Sequence, residues 1–274
     1  MLAQSEQPSQ LIALANDERI GFQQKLDGYR IMVQIDADGK VDVLNRQGEQ
    51  SQTELPAAIR TDLARLPRGA EWVLDCELIS GRALWVFDLP VGAGRATPTM
   101  HFGARYEILT ALLHTWQPKS GINLLPLAVE TTSKLQLAHG VLSANGEGII
   151  AKRLDGQYMS GKRSHAMKKL KFYRDIDCVV TDMGREGKSN LGLGLLSSRG
   201  DMIDVGEVTS LAGDGPRVKV GDVVCVKYLY AVDPARPRLY QPTLPRLRDD
   251  KPADQCTLDQ LEGSYRNLEV LTSW

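Results

Sequence analysis

The residues with the clearest chemical potential are 25–30, which read KLDGYR. A lysine amine attacks electrophiles only when deprotonated, and its reference pKa of about 10.4 keeps it protonated at neutral pH. Desolvation or a neighbouring cation would lower the pKa of Lys25, and the carboxylate of Asp27 could orient its amine. The sequence therefore offers a candidate nucleophile. Because Asp27-Gly28 also favours a tight turn, a surface hairpin without chemistry is the alternative interpretation.

Strands are predicted on the carboxyl side of this lysine. Residues 29–35 alternate like a half-buried strand, and Asp36-Ala37-Asp38-Gly39 is a hairpin signal leading into a second strand. Residues 71–79 and 83–89 read as two more strands. Asp75 and Glu77 are two apart in the first of these, so they project from one face and could hold a divalent cation. A solvated acidic face is the alternative.

A second group of charged residues follows residue 146, where the sequence reads GEGIIAKR. Glycines beside Glu147 would allow a close backbone or ligand approach. From Lys152 to Arg174 there are eight lysines and arginines against one acid, Asp155. Lys169 and Lys171 would share one strand face. This density predicts a surface for polyphosphate or nucleic acid rather than a merely solvated strand.

Periodicity predicts the remaining elements. Residues 53–66 have helical spacing, with Leu55, Ile59, Leu63 and Leu66 on one packing face, and residues 104–116 and 132–144 are also predicted helices. Residues 4–18 are expected to form a helix or arm. After Asp175 the texture changes to roughly five short strands with glycine-rich turns, which suits a small closed barrel.

Composition excludes several classes of protein. The chain has 274 residues, a formal net charge of −1 and no apolar run near the roughly 18 residues of a membrane span. The low charge argues against coating nucleic acid by bulk electrostatics, but not against a local basic track. The start resembles no signal peptide, although a mature form with its signal removed would look the same. Four widely spaced cysteines predict buried free thiols rather than a zinc site.

Six motifs occur in a fixed order, and together they resemble the covalent nucleotidyltransferases, and more narrowly the minimal ATP-dependent DNA ligases. The motifs are K25-x-D-G-x-R, D75-C-E-L, F87-D-L, E147-G-I-I-x-K, K169-x-K and R248-x-D-K. The resemblance implies an α+β protein: a nucleotidyltransferase (adenylation) domain with antiparallel sheets at 1–174, followed by a small all-β OB-fold barrel at 175–274. There are three departures from the pattern: Cys76 stands in place of glycine, Met167 stands in place of an aromatic residue, and the arginine-rich lead into the last motif is reduced to residues 240–246, YQPTLPR.

The resemblance also implies a three-step reaction. Lys25 would take AMP from ATP, the AMP would pass to the 5′-phosphate of a nick, and the 3′-hydroxyl would then displace it. ATP and Mg²⁺ are the implied cofactors, and nicked duplex DNA is the implied partner. We expect a cytoplasmic monomer without a membrane or an obligate protein partner. We also expect no helical DNA-binding domain before Lys25 and no latch insertion in the turn at 184–191.

Site roles follow from motif position. The implied catalytic residues are Lys25, Asp27, Lys169 and Lys171. The implied nucleotide-binding residues are Arg30, Glu77, Phe87, Glu147, Lys152, Arg248 and Lys251. Metal ligation is implied for Asp75, Glu77 and Glu147, and DNA binding for Arg46, Lys162, Arg163 and Lys168.

Four alternatives remain open. An RNA ligase shares the lysine chemistry, and nothing in the sequence tells which sugar is read. A capping guanylyltransferase fits the Lys169–Lys171 spacing less well, and an NAD-dependent ligase would normally carry zinc-binding cysteines. A non-catalytic OB-type single-strand binder would not need the lysine and both glutamates.

Overall fold

The computed structural model describes residues 1–45, 47–183, 190–209 and 218–267. The chain divides into two compact units. The first consists of Met1–Val141 and Gly148–Lys171, and the second of Leu142–Glu147 and Phe172–Trp274. Long-range contacts thus associate a short segment before residue 148 with the second unit. Within the described ranges, no helix is both long enough and apolar enough to cross a membrane.

The described residues of the first unit form ten strands. They are β1 (Leu2–Glu6), β2 (Ile20–Gln24), β3 (Tyr29–Ile35), β4 (Val41–Leu44), β5 (Trp72–Ile79), β6 (Ala83–Gly92), β7 (Arg95–Ala96), β8 (Ile122–Leu124), β9 (Gly148–Arg153) and β10 (Arg163–Lys171). The α-helices are α1 (Leu11–Asn16), α2 (Ala57–Leu63), α3 (Phe102–Trp116) and α4 (Thr131–Ser143).

These strands form two sheets. A four-stranded sheet has the order β1-β10-β9-β2, with β1 parallel to β10 and the other pairs antiparallel. A six-stranded sheet has the order β4-β3-β5-β6-β7, with β8 parallel to β6. The predicted hairpin joins β3 to β4, where the Asp36 amide donates to the Lys40 carbonyl at 3.1 Å.

One face of the six-stranded sheet packs against α2 and α3. The predicted packing face is confirmed, because Leu55, Ile59, Leu63 and Leu66 all belong to this core. Cys76 is fully buried in the same core. Since side chains alternate along a strand, the neighbours of Cys76 in β5, Asp75 and Glu77, face the opposite side.

The prediction for residues 4–18 is wrong at its start. Leu2–Glu6 is a strand, and the only α-helix of the segment is α1, Leu11–Asn16. The cause is tertiary: β1 pairs with β10, more than 150 residues away along the chain. Local patterning carries little information about such pairing.

The second unit is mostly β-structure. Its strands are β11 (Arg174–Asp182), β12 (Asn190–Leu196), β13 (Met202–Thr209), β14 (Val223–Tyr228), β15 (Ala231–Val232), β16 (Arg238–Leu239) and β17 (Thr243–Leu247). Five of them form an antiparallel sheet in the order β13-β12-β11-β14-β17 around a core of its own. The cysteine prediction is confirmed, because all four cysteines are buried free thiols.

Candidate active site

A cavity of about 310 Å³ in the first unit is lined by side chains from both of its sheets. The charged and polar lining consists of Gln23, Gln24, Lys25, Arg30, Glu77, Lys152, Arg163 and Lys169. The apolar lining consists of Leu2, Ala3, Leu26, Phe87, Leu125, Ile150 and Met167. Five cations against one carboxylate suit an anionic ligand, and the apolar lining suits one that also carries a flat hydrophobic portion.

Lys25 follows directly on β2 and is half-buried. Its backbone amide donates to the carbonyl of Gly148 at 2.8 Å, which ties the lysine loop to the start of β9. Gly148 has φ of +146°, and a Cβ there would lie 1.9 Å from the Leu170 carbonyl oxygen. A side chain at 148 would therefore push β9 and β10 apart beneath Lys25.

Gly28 places the loop after Lys25 against Glu77. The Gly28 amide donates to Glu77 Oε1 at 3.1 Å. A Cβ at Gly28 would lie 2.4 Å from the Leu78 carbonyl oxygen, so this turn requires glycine. Burial raises the pKa of Glu77 to about 7, with the charge of Lys25 opposing the rise. Glu77 can therefore change its charge near neutral pH.

Asp75 lies behind the cavity rather than on its lining. Both of its oxygens are engaged by Arg30, with Nε at 2.9 Å from Oδ1 and an amino nitrogen at 2.5 Å from Oδ2. Tyr158 also donates to Oδ2 at 2.7 Å. Burial opposes ionisation of Asp75, yet its pKa is held below its usual value by Arg30. This pairing satisfies the carboxylate and argues against the predicted role of Asp75 as a metal ligand.

Phe87 and Lys152 lie together in the cavity. The Lys152 ammonium is 4.7 Å from the centroid of the Phe87 ring and 4.5 Å from that of Phe102. Burial lowers the pKa of Lys152 to about 8, although Asp88 and Asp75 act in the opposite direction. Lys152 is thus a buried cation beside an aromatic face.

The basic stretch divides by strand face. Lys169 lies on the cavity side of β10, whereas Lys168 pairs with Glu6 at 2.8 Å. Lys171, at the end of β10, is not among the cavity-lining residues, and neither is Asp27. Lys162 is exposed in the loop that leads into β10.

The remaining predicted residues lie elsewhere. Glu147 is buried and directly precedes β9. In the second unit, Arg248 and Lys251 both bind the carboxylate of Asp177, at 3.0 and 2.8 Å. Arg46 lies outside the described residues, as does most of the turn expected to lack an insertion.

Sequence reasoning missed Gln23. Its side chain is 1% exposed and lines the cavity, and its Nε2 donates to the Leu125 carbonyl at 3.0 Å. Its Oε1 is a buried oxygen with no hydrogen-bond partner in the structure. A buried acceptor without a partner calls for an explanation, such as a contact with a water molecule or a ligand. The available signal was a pair of glutamines in an otherwise apolar strand, immediately before the lysine.

The fold and cavity define a class: a nucleotide-type site between two sheets, with a lysine at its edge, followed in the chain by a β-rich unit. Residues 1–83 match the family model of the ATP dependent DNA ligase domain. The multifunctional non-homologous end joining DNA repair protein LigD of Mycobacterium tuberculosis is 31% identical over 196 residues. That alignment covers 64% of this chain and 24% of LigD. The chain therefore spans about a quarter of the length of the curated relatives it matches.

Solved structures extend the likeness over the whole fold. The ligase domain of M. tuberculosis LigD superposes with a TM-score of 0.55 at 22% identity, covering 94% of this chain and 97% of that domain. A Lig E DNA ligase superposes with a TM-score of 0.60 at 18% identity, covering 90% and 98%. The solved structures thus share the fold of this chain, and the match to the ligase family model covers its residues 1–83.

Proposed function

We propose that this protein is an ATP-dependent DNA ligase that seals nicks between a 5′-phosphate and a 3′-hydroxyl in duplex DNA. The observation that carries the proposal is the placement of Lys25 in one cavity with Arg30, Glu77, Phe87 and Lys169. These residues come from four separate motifs of the ligase pattern. A shared cavity is what a single nucleotide-binding and nucleotide-transfer site requires.

In the first step the Lys25 amine, having lost a proton, attacks the α-phosphorus of ATP. A P–N bond forms, the bond between the α-phosphorus and the bridging oxygen breaks, and pyrophosphate leaves. Lys169 lies on the same cavity and neutralises charge on the phosphate oxygens. Transfer of this kind depends mainly on positioning and charge neutralisation. We assign the same phosphate role to Lys171 and an orienting role to Asp27 from their motif positions.

The cavity also accounts for the nucleoside. Phe87 offers an aromatic face for adenine, and Arg30 lies beside it with its Cζ 5.6 Å from the ring centroid. Gln23 Oε1 supplies an acceptor for the exocyclic amino group of adenine, which would satisfy this buried oxygen. Glu77, with Glu147 by motif position, binds the ribose hydroxyls or the metal.

Mg²⁺ fits the available ligands. Within the described part of the chain, no cluster of three or more acidic, histidine or cysteine side chains could cage a metal. Magnesium, however, is usually held by one or two carboxylates together with substrate phosphates. Glu77, with Glu147 by motif position, would hold the ion, which would neutralise phosphate charge when bound.

In the second step AMP passes from Lys25 to the 5′-phosphate at the nick. The P–N bond breaks, a pyrophosphate linkage to the DNA forms and the lysine regains a proton. In the third step the 3′-hydroxyl loses its proton, attacks the DNA phosphate and releases AMP. Arg46, Lys162, Arg163 and Lys168 are proposed to bind DNA phosphates, so affinity should fall steeply with salt.

The second unit is proposed to be an OB-fold barrel that carries Arg248 and Lys251 to the pyrophosphate in the first step and withdraws them afterwards. The antiparallel five-stranded sheet supports this assignment. We propose a monomer acting on duplex DNA. An RNA ligase is the second candidate, because the cavity residues read the nucleotide and not the sugar of the nicked strand.

The decisive experiment is intact-mass measurement after incubation with ATP and Mg²⁺, for the parent and for Lys25→Ala. The parent should gain the mass of one AMP and the variant none, and the parent should then seal a DNA nick. A parent that gains no AMP would overturn the ligase proposal. Adenylation with sealing confined to RNA strands would transfer the protein to the RNA ligases.

A further inference from the structure

Tyr158 occupies a central place behind the cavity, although it does not line it. It belongs to the connection between β9 and β10 and is 6% exposed. Its hydroxyl donates to Asp75 Oδ2 at 2.7 Å, and its ring lies 5.6 Å from the Cζ of Arg105. Arg105 in turn binds Asp88 through two hydrogen bonds of 2.7 and 3.0 Å. One tyrosine therefore contacts two ion pairs, Arg30–Asp75 and Arg105–Asp88.

The contact with Asp75 leads directly to the nucleotide site. Asp75 binds the Arg30 guanidinium through both oxygens, and the same guanidinium lies over the ring of Phe87. A planar guanidinium fixed at two points has a defined orientation, whereas one held at a single point can rotate. The Tyr158 hydroxyl holds this carboxylate, which sets the orientation together with the Met1 carbonyl that accepts from the remaining amino nitrogen of Arg30.

The other end of the Tyr158 connection faces outward. The Tyr158 amide donates to the Pro98 carbonyl at 2.9 Å, which fixes the base of the connection. The next residues run through an exposed stretch to Lys162 and Arg163, and Arg163 lines the cavity. The segment proposed to meet DNA is therefore anchored at the residue that supports Arg30.

We propose that Tyr158 is a positioning residue for ATP: through Asp75 it fixes the Arg30 guanidinium beside Phe87 in the orientation that binds the nucleotide. The inference rests on the proposed function and deepens it. Because Tyr158 is not part of the cavity lining, any effect of its hydroxyl on ATP must be transmitted through other side chains. Arg30 is the side chain that both receives its influence and faces the cavity.

The test is the initial rate of self-adenylation as a function of ATP concentration, measured by intact mass. In Tyr158→Phe, the KM for ATP should rise about five-fold to ten-fold while kcat changes less than about two-fold, since a hydrogen bond to a charged group is lost. The matched control is Tyr228→Phe. Tyr228 is a buried tyrosine of the second unit, hydrogen-bonded with Ser264, and its variant should leave KM unchanged.

A second background separates positioning from general loosening of the fold. In Arg30→Lys the Asp75 carboxylate keeps a cationic partner, but there is no planar fork to orient. Adding Tyr158→Phe to this background should change KM less than about two-fold. An unchanged KM in the single variant would overturn the inference, and so would an equal rise in both backgrounds.

The two proposals fail in distinguishable ways. A parent protein that is not adenylated at all refutes the ligase function and this inference with it. A parent that is adenylated normally, beside a Tyr158→Phe variant with parental KM, refutes only the positioning role. A fall in kcat with parental KM would assign Tyr158 to the chemical step and would also contradict the inference.

Discussion

Glu77 is a cavity residue whose charge changes near neutral pH. Its pKa lies near 7 because burial disfavours the carboxylate, and the nearby Lys25 only partly compensates. The pKa is raised, so Glu77 is neutral below about pH 7 and ionised above it. If the ionised form holds Mg²⁺ or the ribose, the step that uses it strengthens as pH rises through 7.

We therefore expect the rate of lysine adenylation at ATP concentrations below the KM to increase about ten-fold between pH 6 and pH 8. The reason is that roughly a tenth of Glu77 is ionised one unit below its pKa. Intact-mass initial rates at low ATP measure this. Glu77→Gln cannot titrate and should be slower with a flatter profile. Because ionisation of other groups persists in this variant, the difference between the two profiles isolates Glu77. Parallel profiles would contradict the assignment.

Gln23 makes a prediction about base specificity. Gln23→Met keeps the size of the side chain but removes the buried acceptor Oε1. The KM for ATP should rise about ten-fold, while weak use of GTP should change little, because guanine has no amino group at the corresponding position. The measurement is the ratio of adenylation to guanylation by mass. An unchanged ratio would mean that Gln23 does not read the base.

At the scale of elements, two close contacts of the backbone, at Gly148 and at Gly28, hold the site together. The loop carrying Lys25 is tied to β9 at Gly148, and the turn after it is tied to β5 at Gly28. At each of these glycines there is no room for a side chain. The lysine is consequently positioned by a backbone hydrogen bond to one sheet and, through Gly28, by a hydrogen bond to the Glu77 side chain of the other sheet.

Gly28→Ala tests this arrangement. The new Cβ would meet the Leu78 carbonyl oxygen at 2.4 Å, so the turn must move away from Glu77. We expect a loss of about 1–3 kcal/mol in the free energy of unfolding and a strong loss of adenylation. Gly103→Ala is the control, because its Cβ meets nothing closer than 3.5 Å and it lies in α3. A lower melting temperature for Gly103→Ala than for Gly28→Ala would refute the steric argument.

At the scale of the whole molecule, the proposed movement of the second unit carries Arg248 to the pyrophosphate and away from it. Asp177 and Asp250 bind this guanidinium in the structure, and Asp177 also binds Lys251. The charged side chains in this group are therefore two carboxylates and, besides Arg248, one other cation. Pyrophosphate would have to compete with these carboxylates for Arg248, which suits a transient contact made in one step only.

Arg248→Ala should therefore lower adenylation by ATP about 100-fold or more, yet change the sealing of a pre-adenylated nick less than about three-fold. Both rates are measured on the same preparation. Arg238→Ala, which breaks an exposed pair with Asp204 in the same unit, should affect neither rate. Equal losses in both steps for Arg248→Ala would contradict a role confined to the first step.

Motif order predicted much of the site. Lys25, Arg30, Glu77, Phe87, Lys152 and Lys169 were named from motifs of the family that the sequence resembles, and Arg163 from the basic stretch; the structure brings all seven to one cavity. The strand around Asp75 and Glu77 and the packing face of residues 55–66 followed from periodicity alone. These features are local, because the alternation of a strand and the face of a helix are written in adjacent residues.

Other features depend on pairing across long stretches of chain. The strand β1 forms because it pairs with β10. The segment Leu142–Glu147 joins the second unit because the Asn145 side chain donates hydrogen bonds to the carbonyls of Gly263 and Tyr265.

The sequence by itself determined which residues could do the chemistry and in what order they occur. Only the tertiary structure showed that Asp75 pairs with Arg30 and Tyr158, and that Gln23, which lines the cavity, has a buried oxygen without a hydrogen-bond partner. The reason is physical: burial and hydrogen-bond partners set the charge and availability of a polar group, and both arise from residues distant in the chain.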